Sequence, residues 1–280
     1  MTTVIKLGGS LLDDAARRDA ALKTIVARWT AGEDVVLVHG GGKHIDAMLA
    51  KLGIPKRTHA GLRVTDDPTL DVVVSVLGGT VNKMLVSELT KLGVRAAGIS
   101  GSDATLIATQ HPPIDGVELG HVGRVTGANC TLVRAMLTYG ILPVVSSIAQ
   151  TTDGQLLNVN ADSAAAALAV ALQAKSLRFI TDVPGLLDAN GQVVPMLHAN
   201  DAETYIDNVT GGMKPKLQAA LSAVRAGVGA VVIGNERNAG VSPADQGASR
   251  SPAGGEDAAC SAAGTAAVHQ VEGGTSLVAA

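Results

Sequence analysis

Aromatic side chains are almost missing from this 280-residue chain: Trp29, Phe179, Tyr139 and Tyr205 are the whole set. Few rings leave little on which bases could stack, and a formal net charge of −3 supplies no basic field. Nucleic-acid binding is therefore not expected. Cysteine is equally scarce, and Cys130 and Cys260 alone build neither a disulfide framework nor a zinc site. Membrane-length apolar runs are lacking as well: NADSAAAALAVALQA is too short and too rich in alanine. No basic region precedes a hydrophobic stretch at the start, where two threonines lead into an apolar strand. These absences predict a cytoplasmic protein without a membrane partner.

What the chain has is aliphatic. Hydrophobic residues make up 46 % of it, so the core must be Val, Leu, Ile and Ala, as suits helices packed on a parallel sheet. Strand-like runs recur at 3–7, 34–39, 94–99, 141–147, 176–181 and 229–234, with helical patterns at 12–30, 43–52, 67–92, 160–174 and 213–226 between most of them. Strands alternating with helices predict an α/β fold. The stretch 103–126, with Pro112 and Pro113, reads as β-hairpins laid over the sheet. A division near residue 175 predicts an N-terminal domain over 1–175 and a C-terminal one over 176–280. From 235 to 274 the chain turns Gly-, Ala- and Ser-rich, a composition that buries too little surface to offset its ordering entropy. The closing TSLVAA reads as a short returning edge strand.

Two strands end abruptly on glycines, in MTTVIKLGGSLLDD and VVLVHGGGKHIDAML. Glycines at such turns let backbone N–H groups approach a ligand, and the following helix N-terminus favours an anion. Neither turn fits the common nucleotide signatures: Lys43 is followed by His44 where a P-loop needs Ser or Thr, and Ile45 stands where a dinucleotide fingerprint needs Gly. Polar residues also sit in apolar surroundings: Arg63 in HAGLRVTDD, Asn158, Asn160 and Asp162 in LLNVNADSAAAALA, Lys214 and Lys216 in TGGMKPKLQAA. A lysine at a helix start opposes the helix dipole and so answers a negative charge. Taken singly, each has an ordinary reading: Asp162 as an N-cap, Lys6 as a solvated edge lysine, Arg63 as a surface charge, His39 and His121 as packing histidines.

The segments VIKLGGSLL, VHGGGKHID, GLRVTDDPTLD, GHVGRV, LNVNADSAAAALA, FITDVPGLLD and GGMKPKLQAAL occur in the order and spacing of the acetylglutamate kinases. From residue 3 to about 234 the chain resembles that group within the amino acid kinase family. The resemblance implies a three-layer α-β-α sandwich with a mostly parallel central sheet, acetylglutamate on the N-terminal domain and ATP with Mg²⁺ on the C-terminal one. It implies that Lys6 and Lys216 contact the transferring phosphoryl group with Asp162 between them. Gly8 and Gly9 would serve the nucleotide, and Gly41 and Gly42 the substrate side and developing charge. Arg63 would grip the α-carboxylate of acetylglutamate with Asn158 orienting it, and Thr181, Asp182, Gly185, Leu186 and Lys216 would border the nucleotide. Lys214 departs from the family pattern, where an apolar residue is usual; of charge near the phosphates or a place in solvent, solvent is expected.

The chemistry of such a reaction matches that set. A γ-carboxylate with a free pKa of about 4.3 is ionised at neutral pH, so its attack on phosphorus needs no general base. The obstacle is bringing an anion onto a polyanion, which lysines, Mg²⁺ and backbone N–H groups address. The rivals are a kinase acting on carrier-protein-linked aminoadipate or glutamate, and a nucleotide-binding regulatory protein without catalysis. Arginine-inhibited members carry an additional N-terminal helix, whereas only MTTVI precedes Lys6, so the expectation is a homodimer insensitive to arginine.

Overall fold

The computed structural model describes residues 1–103, 106–188, 190–209, 211–235 and 274–279. In chain order the elements are β1 (Thr2–Leu7), α1 (Gly9–Asp13), α2 (Ala15–Thr30), β2 (Asp34–His39), α3 (Gly42–Lys51), β3 (Thr58–His59), β4 (Leu62–Arg63), α4 (Asp67–Val74), a π-helical segment (Ser75–Val81) and α5 (Asn82–Lys91). Then come β5 (Ala96–Ser100), β6 (Leu106–Gln110), β7 (Val122–Ala128), α6 (Thr131–Thr138), β8 (Leu142–Ser146), β9 (Ile148–Gln150), β10 (Leu156–Val159) and α7 (Ala161–Leu172). The chain finishes with β11 (Ser176–Ile180), β12 (Met196–His198), α8 (Ala202–Asn208), α9 (Met213–Arg225), β13 (Ala230–Gly234) and β14 (Thr275–Val278).

Eight strands form the central sheet in the order β12-β14-β13-β11-β1-β2-β8-β5. From β13 to β5 every pairing is parallel, while β14 runs antiparallel to β13. In the middle strands burial is continuous rather than alternating, as it must be when helices cover both faces. This is the expected three-layer α/β architecture. The sheet runs unbroken past residue 175, because β1 from the first half pairs directly with β11 from the second. Four further strands, β10-β7-β6-β9, close on themselves as a barrel; β6 and β7 form an antiparallel pair in the stretch read as hairpins over the sheet, though β7 runs past 126 to Ala128 and the pair belongs to this barrel.

Several details differ from the sequence reading. Helix 12–30 is two helices: Asp14 caps the second by accepting from the Ala16 and Arg17 amides, so the first ends at Asp13. Asp67–Lys91 is long and apolar enough to cross a membrane by composition, contrary to the expectation that no run approaches that length. It nevertheless buries Val72, Val73, Val76, Leu77, Val81, Leu85 and Leu89 in the protein core, which accounts for its apolar character. The closing TSLV is not an edge strand but lies between β13 and β12, fully buried. The reading of 235–274 falls, except at its two ends, outside the described residues.

Candidate active site

The site grows from the carboxyl ends of adjacent parallel strands, where open α/β sheets bind ligands. Lys6 is near the end of β1, a strand with no solvent face, and is only 7 % exposed. Its Nζ lies 2.8 Å from Asp162 Oδ1. Asp162 is in the first turn of α7, but it is not the cap: the Asn160 side chain accepts from the Asp162 and Ser163 amides at 2.8 and 3.1 Å. Relieved of that task, the Asp162 carboxylate turns inward and is 6 % exposed. Lys216, from the first turn of α9, donates to the same Oδ1 at 3.1 Å, and its Nζ stands 5.3 Å from the centre of the Phe179 ring. Lys214 is exposed, as expected.

One carboxylate thus faces two buried ammonium groups. Burial alone would push the Asp162 carboxyl up, but the charges of Lys6 and Lys216 overcome it and hold the group below its usual range. The lysine side is under-compensated: burial and the nearby charge of Lys6 outweigh Asp162 and bring Lys216 down from 10.5 to about 8. A buried cluster with one positive charge in excess is suited to an incoming anion.

The two glycine turns sit side by side at the ends of β1 and β2, which are sheet neighbours. Asp13, closing α1, holds Lys43 of α3 at 3.2 Å. Not all the glycines do the same work. A Cβ at Gly41 would lie 2.8 Å from Leu77 Cδ2, and one at Gly8 3.0 Å from the Ile180 carbonyl, to which the Gly8 amide also donates; packing requires both. At Gly9 and Gly42 a Cβ would meet nothing within 4 Å, so packing gives no reason for glycine there. Helices α1, α3 and α9 begin at glycines with no side-chain cap and no acid in the first turn, so no side chain of their own caps their first N–H groups.

Beneath the second turn, His39 is fully buried and pushed down to about 4 by that burial, hence neutral. Its Nδ1 donates to the Gly40 carbonyl at 2.8 Å and its Nε2 accepts from Asn82 Nδ2 at 3.1 Å. It is a satisfied packing histidine, as the sequence suggested. His121 is likewise satisfied, between Asp67 and Gln155.

A cleft of about 810 Å³ opens beside this centre. It reaches Asn160, Ser163 and Pro215, chain neighbours of Asp162 and Lys216, and is lined by Arg63, Arg124 and Asn158 with no acidic side chain. Arg63, on the β3–β4 hairpin, donates through Nη2 to Asp46 and, at 3.2 Å, to the Gly42 carbonyl. Asn158 donates to Thr65 Oγ1 at 3.1 Å, and that hydroxyl donates to the Arg63 carbonyl at 2.9 Å. Asp46 and the buried Thr65 are contributors that sequence reasoning missed; each looks like an ordinary polar residue until the hairpin docks.

The segment 181–187 leaves β11 on the other side of the first turn. Thr181 donates through its amide to the Gly234 carbonyl at 2.7 Å and through Oγ1 to Asp182 at 3.0 Å. Asp182 lies below the usual carboxyl range: burial pushes it up, but hydrogen bonds from Thr181 and Ser10 and the Arg17 charge prevail. Gly185 and Leu186 are packed against β14, where the Leu186 amide donates to Thr275 Oγ1 at 2.8 Å and a Cβ at Gly185 would lie 2.7 Å from that same oxygen. Among the described residues no cluster of three metal-ligating side chains occurs, and the one buried carboxylate is taken by the lysines.

The sequence profile of the amino acid kinase family matches residues 1–235. The chain belongs to the amino acid kinase family. It is 46 % identical over 231 residues to the acetylglutamate kinase of Solibacter usitatus, covering 81 % of this chain and 88 % of that one. It is 44 % identical over 225 residues to the acetylglutamate kinase of Geobacillus kaustophilus, covering 80 % of this chain and 85 % of the other. Among solved structures it is similar to smu.665 from Streptococcus mutans, with 33 % identity, a TM-score of 0.74, and coverage of 84 % of this chain and 94 % of that one. Within this family member the fold brings Lys6, Asp162 and Lys216 into contact with each other and sets the glycine turns beside Lys6. Arg63 and Asn158 share the cleft, while Gly185 and Leu186 stand apart, held in packing.

Proposed function

We propose that this chain is an ATP-dependent kinase that transfers the γ-phosphoryl group to the γ-carboxylate of N-acetyl-L-glutamate, making N-acetylglutamyl 5-phosphate for arginine biosynthesis. The observation that carries this reading is the pair of buried lysines sharing Asp162 Oδ1, next to two uncapped glycine turns. Its two ammonium groups hold more positive charge than one carboxylate can balance, and the transferring group carries the negative charge that completes it. Asp162 orders the lysines and takes no proton, since an attacking carboxylate has none to give. The amides of Gly9 and Gly42 supply donors to the phosphates and the developing charge, and Arg63 with Asn158 receives the α-carboxylate end. Similarity to the two acetylglutamate kinases over more than four-fifths of their length favours this acceptor over a carrier-linked one.

Mg²⁺ would come with the nucleotide and neutralise phosphate charge there, because the described residues gather no cluster of three carboxylate, histidine or cysteine side chains to hold it. The reading divides the chain into an acetylglutamate domain over 1–175 and an ATP domain over 176–280, with Thr181 and Asp182 bordering the nucleotide, and takes the enzyme to be a cytoplasmic homodimer. A hydroxamate assay with ATP and acetylglutamate tests the activity. Lys6→Ala and Lys216→Ala should cut kcat by about 10²-fold or more, whereas Arg63→Ala should chiefly raise the KM for acetylglutamate. No acyl phosphate from acetylglutamate, or near-normal turnover in the Lys216 variant, would overturn the proposal.

A further inference from the structure

Arg63 is aimed by its neighbours. Its Nη2 is occupied twice, by Asp46 Oδ1 and by the Gly42 carbonyl at 3.2 Å, while its Nη1 is sealed from solvent and has no hydrogen-bond partner among the described residues. The side chain is only 12 % exposed and lines the cleft. A buried guanidinium with one end tied and the other unmatched is a receptor for a planar acid group. The tie comes from α3, the helix whose first turn carries Gly42. Asp46 therefore links the hairpin that bears Arg63 to the turn that faces the phosphoryl group.

Asp46 also has a second cation. Its Oδ2 accepts from Lys56 Nζ at 2.8 Å, so the trio of Lys56, Asp46 and Arg63 keeps one net positive charge for a ligand. Burial pushes the Asp46 carboxyl up, but Lys56 and Arg63 bring it below the usual range, so it stays ionised at neutral pH. We infer that Asp46 is a positioning residue for substrate: it fixes the Arg63 guanidinium so that Nη1 meets the acid group of an acylated amino acid, while Lys56 cancels the repulsion Asp46 would otherwise exert on that acid. The inference rests on the reading of Arg63 given under the proposed function.

Without Asp46 the guanidinium must be ordered anew at each binding event, which raises KM for the amino-acid substrate by about three- to ten-fold. Steady-state kinetics in both substrates, with calorimetric titration of acetylglutamate, on Asp46→Ala, Asp46→Asn, Arg63→Ala and the Asp46→Ala/Arg63→Ala double variant test this. Expected are a raised KM and Kd for acetylglutamate in Asp46→Ala, a smaller rise in Asp46→Asn, and kcat and KM for ATP within about twofold of wild type. Because Asp46 acts through Arg63, the double variant should be no worse than Arg63→Ala. Unchanged acetylglutamate affinity in both Asp46 variants, beside a large loss in Arg63→Ala, would overturn the inference and leave the proposed function standing. An Arg63→Ala variant with normal acetylglutamate affinity would instead refute the substrate reading itself. An additive loss in the double variant would also overturn the inference, by placing the action of Asp46 elsewhere.

Discussion

Replacing Asp162 with Asn tests the centre most sharply, because it keeps the shape of the side chain and removes only its charge. Both lysine ammonium groups lie within 3.1 Å of the atom changed, and all three residues are more than nine-tenths buried. Stranding a charge by removing its buried partner ordinarily costs about 3–5 kcal/mol. Here a cheaper route exists. Lys216 already sits at about 8, so shedding its proton at pH 7 costs no more than about 1.4 kcal/mol, and less once the carboxylate is gone. Destabilisation should therefore fall short of the full penalty, at about 1–3 kcal/mol, which lowers Tm by roughly 3–10 °C in a chain of this size. On the proposed mechanism function fares worse, since a neutral Lys216 would no longer offset the phosphoryl charge. Turnover in the hydroxamate assay should drop on the order of 10²–10³-fold at pH 7. Lowering the pH should return the proton and part of the activity, provided the protein stays folded by circular dichroism. A variant within tenfold of wild-type turnover, or one whose residual activity ignores pH, would refute the reasoning.

Three further outcomes follow from the same geometry. Gly41→Ala drives a methyl to 2.8 Å from Leu77 and should destabilise by about 1–3 kcal/mol, whereas Gly9→Ala meets nothing and should melt like wild type while losing ATP affinity; equal melting of the two would contradict the assignment. In the free enzyme, kcat/KM for ATP should fall above pH 8 as Lys216 deprotonates, with kcat holding to higher pH because bound phosphates retain the proton; coincident limbs would argue against phosphate contact. Between about 8 and 10.5 the unfolded chain binds the Lys216 proton more tightly than the folded one, so this group makes stability rise with pH across that window, and Lys216→Met should flatten the slope in urea titrations at pH 8 and 10.

Much of this molecule is legible along the chain. Local chemistry decides it: aliphatic runs ending on glycine become parallel strands and helix starts, whereas Lys6 and Asp162, read singly, pass for an edge lysine and a helix cap. Helix ends answer to local rules as well, as Asp14 and Asn160 show by capping through their own side chains. Other features depend on what the chain meets after folding. Nothing near Gly41 or Gly9 in sequence says that the first must clear Leu77 and the second meets open space, because Leu77 arrives from a helix far along the chain. The burial of TSLV came from a pairing site opened between β13 and β12, which composition cannot reveal. Asp46 reads as an ordinary surface acid on α3 until the hairpin brings Arg63 against it. The sequence by itself settled the fold class, since that follows from short-range periodicity and residue type, while the roles proposed for Lys6, Asp162 and Lys216 came from the order and spacing of family motifs. Tertiary structure alone decided that two lysines from distant segments share a single carboxylate oxygen, because burial and Coulomb energy depend on distances in space.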